Sequence, residues 1–205
     1  MGLWRDIFGP GQDEAWGALA KQIGADYTPG GWAKAGRIDL RKDGYIITLD
    51  VYTVSTGKSS TSYTRMRSPF RNTRGMAMNI YRKSILTGLG KLMGMQDITV
   101  GDALFDDHFV VQGSPEPAIV AFLQDAKIRG LIESQPAYAS VLFKIKKDDG
   151  WFARHYPDGI DELYFLRAGL IKDEQQLKQM FELFTASVDR LSQAGCAFDV
   201  HQTPK

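Results

Sequence analysis

The fold is decided by the stretch RIDLRKDGYIITLDVYTV, residues 37–54. Apolar and polar residues alternate on both sides of Asp43-Gly44, with the period of two that is typical of a β-strand with two different faces. An Asp-Gly pair accepts the positive φ angles of a tight hairpin turn. We therefore predict two antiparallel strands, 37–42 and 45–54, joined at this turn.

The residues that follow continue the β pattern. A second turn is predicted at Ser55-Thr56-Gly57-Lys58, and the strands after it would complete a four-stranded antiparallel meander over residues 34–82. Another hairpin turn is predicted at Asp149-Gly150. The further predicted strands are 60–66, 76–82, 105–112, 138–147, 151–156 and 162–171.

Three segments have the residue spacing of an amphipathic helix. The clearest begins at Asp173 or Glu174 and ends near Gly195, and its apolar residues are Leu177, Met180, Phe181, Phe184, Val188 and Leu191. A first helix is predicted near residues 14–24. Another is predicted near 115–133, with Ser114 as its N-cap and Pro115 at its first position. Its apolar face would consist of Ile119, Phe122, Leu123, Ala126 and Leu131.

These elements predict one α+β domain over residues 1–205, with antiparallel sheets of meander and hairpin strands and helices packed on one face. The likeness between the two Asp-Gly hairpins leaves a duplicated unit open, with subdomains 1–88 and 95–205. The sequence lacks an apolar run long enough to span a membrane, and Cys196 is its only cysteine. Both observations predict a cytoplasmic protein without disulfides.

Positive charge is concentrated in one part of the chain. Residues 51–96 contain none of the 24 Asp and Glu residues but eight of the 25 Lys and Arg residues, although the net charge is only +1. Such a lopsided distribution attracts an anionic partner. We take six of these cations as the candidate residues for binding an anion or a partner: Arg65, Arg67, Arg71, Arg74, Arg82 and Lys83.

The basic stretch leaves two functions open. The first is a non-catalytic binding or assembly module whose basic sheet face, within residues 58–91, meets an acidic protein surface or another subunit. The second is a protein or enzyme that holds a small carboxylate or phosphate in an arginine-lined pocket. Internal neutralisation by acidic residues of the second half, Glu162 among them, is the structural alternative to both. Nucleic-acid binding is disfavoured by the modest isoelectric point of 7.8.

The sequence predicts no catalytic residue, no cofactor and no metal site. The three histidines are at least 46 residues apart, without the spacing of metal ligands. Asp106-Asp107-His108 has the groups for acid–base chemistry, but on a strand Asp107 would point away from its neighbours. We therefore predict that Asp106 bonds to nearby backbone amides, while Phe105 and Phe109 enter the core.

The N-terminus carries a short apolar cluster. Leu3, Trp4, Ile7 and Phe8 would lie on one side of a short helix. This segment is too short for firm anchoring, so we expect it to dock on the core or on another subunit. A peripheral membrane contact through residues 3–8 is the disfavoured alternative.

Three short motifs together resemble a known group of sequences. They are Tyr63-Thr64-Arg65, then Gln96-Asp97-Ile98 with Gly101-Asp102, then Phe105-Asp106-x-x-Phe109-x-Val111. The combination resembles uncharacterised bacterial proteins, grouped as a domain of unknown function, in which a Phe-Asp-x-x-Phe-x-Val strand precedes a helix and a further sheet. The resemblance implies a bacterial cytosolic protein and carries no assigned activity.

Overall fold

The computed structural model describes residues 11–31, 35–83, 97–136, 141–147 and 156–199. Within these ranges the chain forms five helices and nine strands, and the named strands pair antiparallel throughout, which confirms the predicted α+β class. The helices are α1 (Gln12–Ile23), α2 (Ala103–His108), α3 (Glu116–Leu123), α4 (Ala126–Glu133) and α5 (Glu174–Gln193). The strands are β1 (Asp26–Thr28), β2 (Arg37–Lys42), β3 (Tyr45–Ser55), β4 (Ser60–Asn72), β5 (Ala77–Arg82), β6 (Phe109–Ser114), β7 (Val141–Lys147), β8 (Ile160–Ala168) and β9 (Ala197–Phe198).

All nine strands belong to one sheet, in the order β1-β2-β3-β4-β8-β7-β5-β6, with β9 paired to the end of β4. The strands β2, β3 and β4 follow one another as predicted. The meander over residues 34–82 is wrong for its fourth strand, because β5 lies between β7 and β6. The place beside β4 is taken by β8, which pairs with it from Thr64↔Arg167 to Arg71↔Ile160. Strands from both halves of the chain therefore share one sheet.

The first hairpin has the turn that its sequence predicts. Asp43 and Gly44 have φ angles of 49° and 85°, and the strands pair from Lys42↔Tyr45 outward. Positive φ at both central residues defines a type I′ turn, whose twist matches that of the flanking strands. This confirms the predicted hairpin.

One face of the sheet is covered by helices. A row of cross-strand neighbours on this face crosses seven strands, and each side chain in it is at most 1% exposed: Ile38, Leu49, Met66, Phe165, Phe143, Ile80 and Val111. We call this the apolar row. From α5, the ring of Phe184 meets that of Phe143 edge-on, with 6.1 Å between centroids.

Two predicted helices are confirmed. In α5 all six predicted apolar residues are buried, and Asp173 caps the helix by accepting a hydrogen bond from the Gln176 amide at 2.8 Å. Helix α1 ends at Gly24, whose φ of 69° closes the last turn, and its Trp16 donates a hydrogen bond to the Ile171 carbonyl at 2.9 Å. Both helices are thus fixed at one end by the residue that the sequence identifies.

Residues 103–108 form a helix, so the strand predicted over 105–112 is wrong in its first half and begins at Phe109. The reason is local: Asp102 accepts a hydrogen bond from the Phe105 amide at 3.2 Å and caps α2. The predicted role of Asp106 is confirmed, because its two oxygens accept from the Val100 and Gly101 amides at 2.9 Å. Phe105 and Phe109 are buried, as expected, and their rings stack on each other.

The single helix predicted over 115–133 is two helices, α3 and α4. The chain breaks at Asp125, whose carboxylate accepts from the Lys127 and Ile128 amides and caps α4. Ser114 is the last residue of β6, and α3 starts after Pro115 without a side-chain cap. Ala126 is exposed, whereas the other four predicted apolar residues are buried.

The predicted strand 138–147 is confirmed over its described residues as β7, and the predicted strand 162–171 is confirmed as β8 with shifted ends. The predicted turn at Asp149-Gly150 and the N-terminal segment 3–8 lie outside the described residues, as does all of the strand 151–156 except Tyr156. Among the helices of the described ranges, none has both the length and the apolar character needed to cross a bilayer.

Candidate functional site

The second face of the sheet carries a row of polar side chains, displaced by one residue along each strand from the apolar row. Its members are Asp39, Thr48, Arg67, Tyr164, Lys144, Asn79 and Gln112. Because side chains alternate along a strand, they point away from the apolar row. We call this side of the sheet the polar face. Arg67 is 6% exposed, Gln112 5% and Tyr164 8%, so their polar atoms require partners within the protein or from a ligand.

Five charged side chains of the polar face alternate in sign across four strands: Arg65, Asp50, Arg67, Glu162 and Lys146. We call them the ion chain. Arg65 donates to both oxygens of Asp50 at 2.8 Å, and Nη2 of Arg67 donates to Oδ2 of Asp50 at 2.6 Å. Nη1 of Arg67 also lies 3.8 Å from Oε1 of Glu162, while Nζ of Lys146 lies 3.1 Å from Oε2. Three cations thus share two carboxylates, and both ends of the ion chain are positive.

Tyrosine side chains lie against the ion chain. The guanidinium carbon of Arg65 is 4.9 Å from the ring centroid of Tyr52, and Nζ of Lys146 is 4.6 Å from that of Tyr164. Such contacts hold a cation in place over the ring face. The Tyr156 hydroxyl donates to Glu162 at 3.1 Å.

The ion chain is buried at its centre and opens at its ends. The side chains of Arg67 and Glu162 are 7% and 4% exposed, whereas those of Arg65 and Lys146 are 20% and 31% exposed. A ligand would therefore approach the two terminal cations first.

Burial and neighbouring charges set the protonation of this site. Burial lowers the pKa of Arg65, but the hydrogen bond to Asp50 and its negative charge outweigh that effect, and the pKa is raised. Burial raises the pKa of Tyr164, and the positive charge of Arg65 offsets only part of the rise. The guanidinium therefore stays charged and the phenol neutral at pH 7.

One donor of the ion chain has no hydrogen-bond partner in the described part of the protein. It is Nε of Arg67, which is buried. An unsatisfied buried donor costs about 1–3 kcal/mol. An oxygen atom of a carboxylate, a phosphate or a water molecule would satisfy it.

The structure brings together only two of the six predicted site residues, Arg65 and Arg67. Arg71 lies near the far end of β4, opposite Ile160. Arg74 and Lys83 are exposed outside the strands. Arg82 is buried with its guanidinium 4.7 Å from the ring of Phe109, and it donates to the carbonyls of Glu133 and Gln135. Burial lowers the pKa of Arg82. Its side chain links β5 to the end of α4 and does not belong to the ion chain.

Sequence reasoning missed Asp50, Lys146 and the two tyrosines at the ends of the ion chain, and named Glu162 only as one of several acids. The signal for Asp50 was present in the hairpin of β3 and β4. The turn comprises residues 56–59, between the paired residues Ser55 and Ser60, so it lies one residue further along the chain than the predicted turn. This register places Asp50 opposite Arg65. The carboxylate that binds both Arg65 and Arg67 therefore comes from the preceding strand, β3.

Within the described ranges, His, Cys, Asp and Glu side chains form no group of three placed to hold a metal ion. No match to the chain was found among protein-family models, curated proteins or solved structures. The resemblance to uncharacterised bacterial proteins therefore stays a prediction from the quoted motifs.

Proposed function

We propose that this protein is a non-catalytic binding module of the bacterial cytosol and that the ion chain holds a small carboxylate or phosphate. The observation that carries the proposal is the sharing of two carboxylates by three cations, of which Arg67 is buried at the centre. Buried charge is costly unless it is paired, so an anionic group would offset the surplus positive charge. Asp50 occupies one fork of Arg65, so the donors left for such a group are the remaining Nη–H groups of Arg65 and the Nε–H of Arg67.

The protonation of the site supports binding over proton transfer. General acid–base catalysis needs a group whose pKa lies near the working pH. The pKa of Arg65 and that of Tyr164 are both raised from values that already lie well above neutrality. Both groups act as fixed hydrogen-bond donors.

The second candidate is an acidic protein partner or another subunit, and the exposed cations support it less. Lys58 and Arg74 lie beyond opposite ends of β4, which has 13 residues. At about 3.3 Å per residue they are roughly 40 Å apart. A partner would need an acidic surface of that length to contact both. This candidate predicts association that weakens as salt is added.

Thermal unfolding in different anions tests the proposal. Inorganic phosphate and citrate are compared with chloride at constant ionic strength. A ligand at 100 times its Kd stabilises the folded state by about 2.7 kcal/mol. For a chain of this size that is a rise in Tm of about 5–10 °C, from about 2–4 °C per kcal/mol.

Two variants assign the stabilisation to the ion chain. Lys146→Gln removes a terminal cation and Arg65→Lys removes the guanidinium donors that remain beside Asp50, so each is expected to lose more than half of the rise in Tm. Lys172→Gln, an exposed position just before α5, is the control and keeps the full rise. Equal Tm values in all three anions would refute the proposal, as would the same rise in all variants. Salt-dependent self-association without an anion effect would favour the second candidate.

A further inference from the structure

A cleft of about 440 Å³ opens on the helix-covered side of the sheet, opposite the polar face. Its floor is apolar and consists of Ile23 at the end of α1, Leu40 of β2 and Phe181 of α5. Phe181 is only 4% exposed, so the floor is continuous with the hydrophobic core. The volume lies within the range of about 300–1,000 Å³ that small-molecule sites have.

The rim of this cleft is charged. Lys178 and Glu182 of α5 and Lys127 in the first turn of α4 line it. Lys178 is paired with Glu174 at 2.6 Å, on the same helix. Lys127 is exposed and forms no ion pair with any residue of the described ranges. Because Lys178 is offset by Glu174, the rim is left with one carboxylate, Glu182, and one cation, Lys127, which is available to an anionic group.

The lining residues of α5 form a stripe of their own. Lys178, Phe181, Glu182 and Thr185 follow one another at steps of three, one and three, which places them on one side of the helix. The residues that bury α5 in the core, such as Leu177 and Phe184, lie on the neighbouring side. The helix thus presents an apolar floor residue between polar rim residues.

We propose that this cleft binds a small amphipathic carboxylate. The apolar part, a single ring or a short chain, lies on Ile23, Leu40 and Phe181, and the carboxylate meets the ammonium group of Lys127. An uncharged apolar ligand leaves Lys127 unused, while a small inorganic anion leaves the apolar floor exposed to water. A ligand of this size is expected to bind with a Kd of about 0.1–1 mM.

The test is a titration with 3-phenylpropionate and, separately, with 3-phenylpropan-1-ol, followed by amide NMR shifts of the full chain. Both probes have the same ring and chain length, and only the acid carries a charge. The acid is expected to shift the amides of Ile23, Leu40 and the α5 stripe. It is also expected to bind at least about tenfold more tightly than the alcohol, because a modest charged hydrogen bond contributes about that factor to the affinity. The ion chain is itself proposed to hold a carboxylate, so shifts near Arg65 and Arg67 are assigned to that site, and only the amides that line the cleft report binding here.

Variants assign the carboxylate to its lysine. Lys127→Glu reverses the charge in the first turn of a helix, where an acid is favourable for folding. It is expected to weaken binding of the acid by about tenfold or more and to leave the alcohol unaffected. Lys172→Glu, an exposed charge reversal just before α5, keeps the affinity of the unmodified chain. Thr185→Trp fills the cleft and abolishes binding of both probes.

Three results would overturn the proposal. One is the absence of amide shifts at about 10 mM acid, ten times the weakest expected Kd. Another is equal affinity for the acid and the alcohol. The last is the same affinity in Lys127→Glu as in Lys172→Glu.

Discussion

The two faces of the sheet are one residue apart along every strand, and both are buried at their centres. On β8, Phe165 belongs to the apolar row and Tyr164 to the polar face; on β4, Met66 and Arg67 divide in the same way. All four are at most 8% exposed. The faces differ in what their atoms require, because the apolar row needs only close packing whereas the polar face needs a partner for each donor and acceptor. Discrimination between ligands is therefore expected on the polar face.

This difference also separates the two sites that we propose. On the helix-covered side, apolar area supplies the attraction and a single lysine adds selectivity. On the polar face, Arg65 and Arg67 are already held by Asp50, so they are oriented before a ligand arrives. Groups oriented in advance lose little entropy on binding.

The largest expected effect comes from truncating two adjacent residues of β8. Phe165→Ala leaves a cavity in the apolar row and is expected to lower the free energy of unfolding by about 4 kcal/mol. Leu166→Ala, on the polar face and only half-buried, is expected to cost about 1 kcal/mol. Urea unfolding followed by circular dichroism measures both. Equal losses would show that the two faces are packed alike.

The next effect tests the ion chain. Asp50→Asn keeps the shape of the side chain but leaves Arg65 and Arg67 without their shared carboxylate. Breaking a buried ion pair costs about 3–5 kcal/mol, so we expect a loss of about 3 kcal/mol at this slightly open site. Because the centre is buried, about 0.5 M salt should reduce the loss little.

The control for that change is Glu174→Gln, which breaks the exposed pair with Lys178. Its expected cost is about 0.3–0.5 kcal/mol and disappears in salt. If Asp50→Asn is as mild and as salt-sensitive as this control, the ion chain is an ordinary solvated surface and the comparison between the faces is wrong.

The smallest effect concerns Tyr27, which lies opposite Ile38 and extends the apolar row to the edge strand β1. Burial, helped by a hydrogen bond of 2.7 Å to Asp13, raises the pKa of Tyr27 to about 12. An unfolded tyrosine ionises near pH 10. The unfolded state therefore loses a proton that the folded state retains, so this contribution is complete below pH 10 and is lost as the pH rises from 10 through 12.

Urea midpoints between about pH 9 and pH 12 measure this contribution. The stability of the unmodified chain should fall more steeply above pH 10 than that of Tyr27→Phe, which lacks the ionisable group. Below pH 10 the difference between the two should stay constant. Parallel curves from pH 10 to 12 would show that Tyr27 keeps an ordinary pKa.

The sequence predicts what short-range chemistry controls. Alternation and an Asp-Gly turn identify β2 and β3, and the cap at Asp173 identifies α5. Local signals also explain the errors: the capping carboxylates of Asp102 and Asp125 create helix starts where periodicity alone predicted a strand or a continuous helix. Such side-chain bonds compete with the element that the pattern favours.

Two of the five residues of the ion chain join it through pairing between distant strands. Arg65 and Asp50 lie on the two strands of one hairpin, so a correctly placed turn would have predicted their pairing. Glu162 and Lys146 join the ion chain only because β8 lies between β4 and β7. Nothing local to either sequence segment determines this neighbourhood, because many strand orders place the same apolar residues on one face.

The position of β4 has a consequence for synthesis on the ribosome. This strand is completed by β8 and, at its end, by β9, and the connection between Thr64 and Gly169 spans 105 residues. While β8 is still inside the ribosome, β4 exposes unpaired backbone groups beside the side chains of Met66 and Phe70. Non-local pairing forms slowly, and open strand edges invite pairing with other chains. The nascent chain is therefore expected to rely on a chaperone until the second half has emerged.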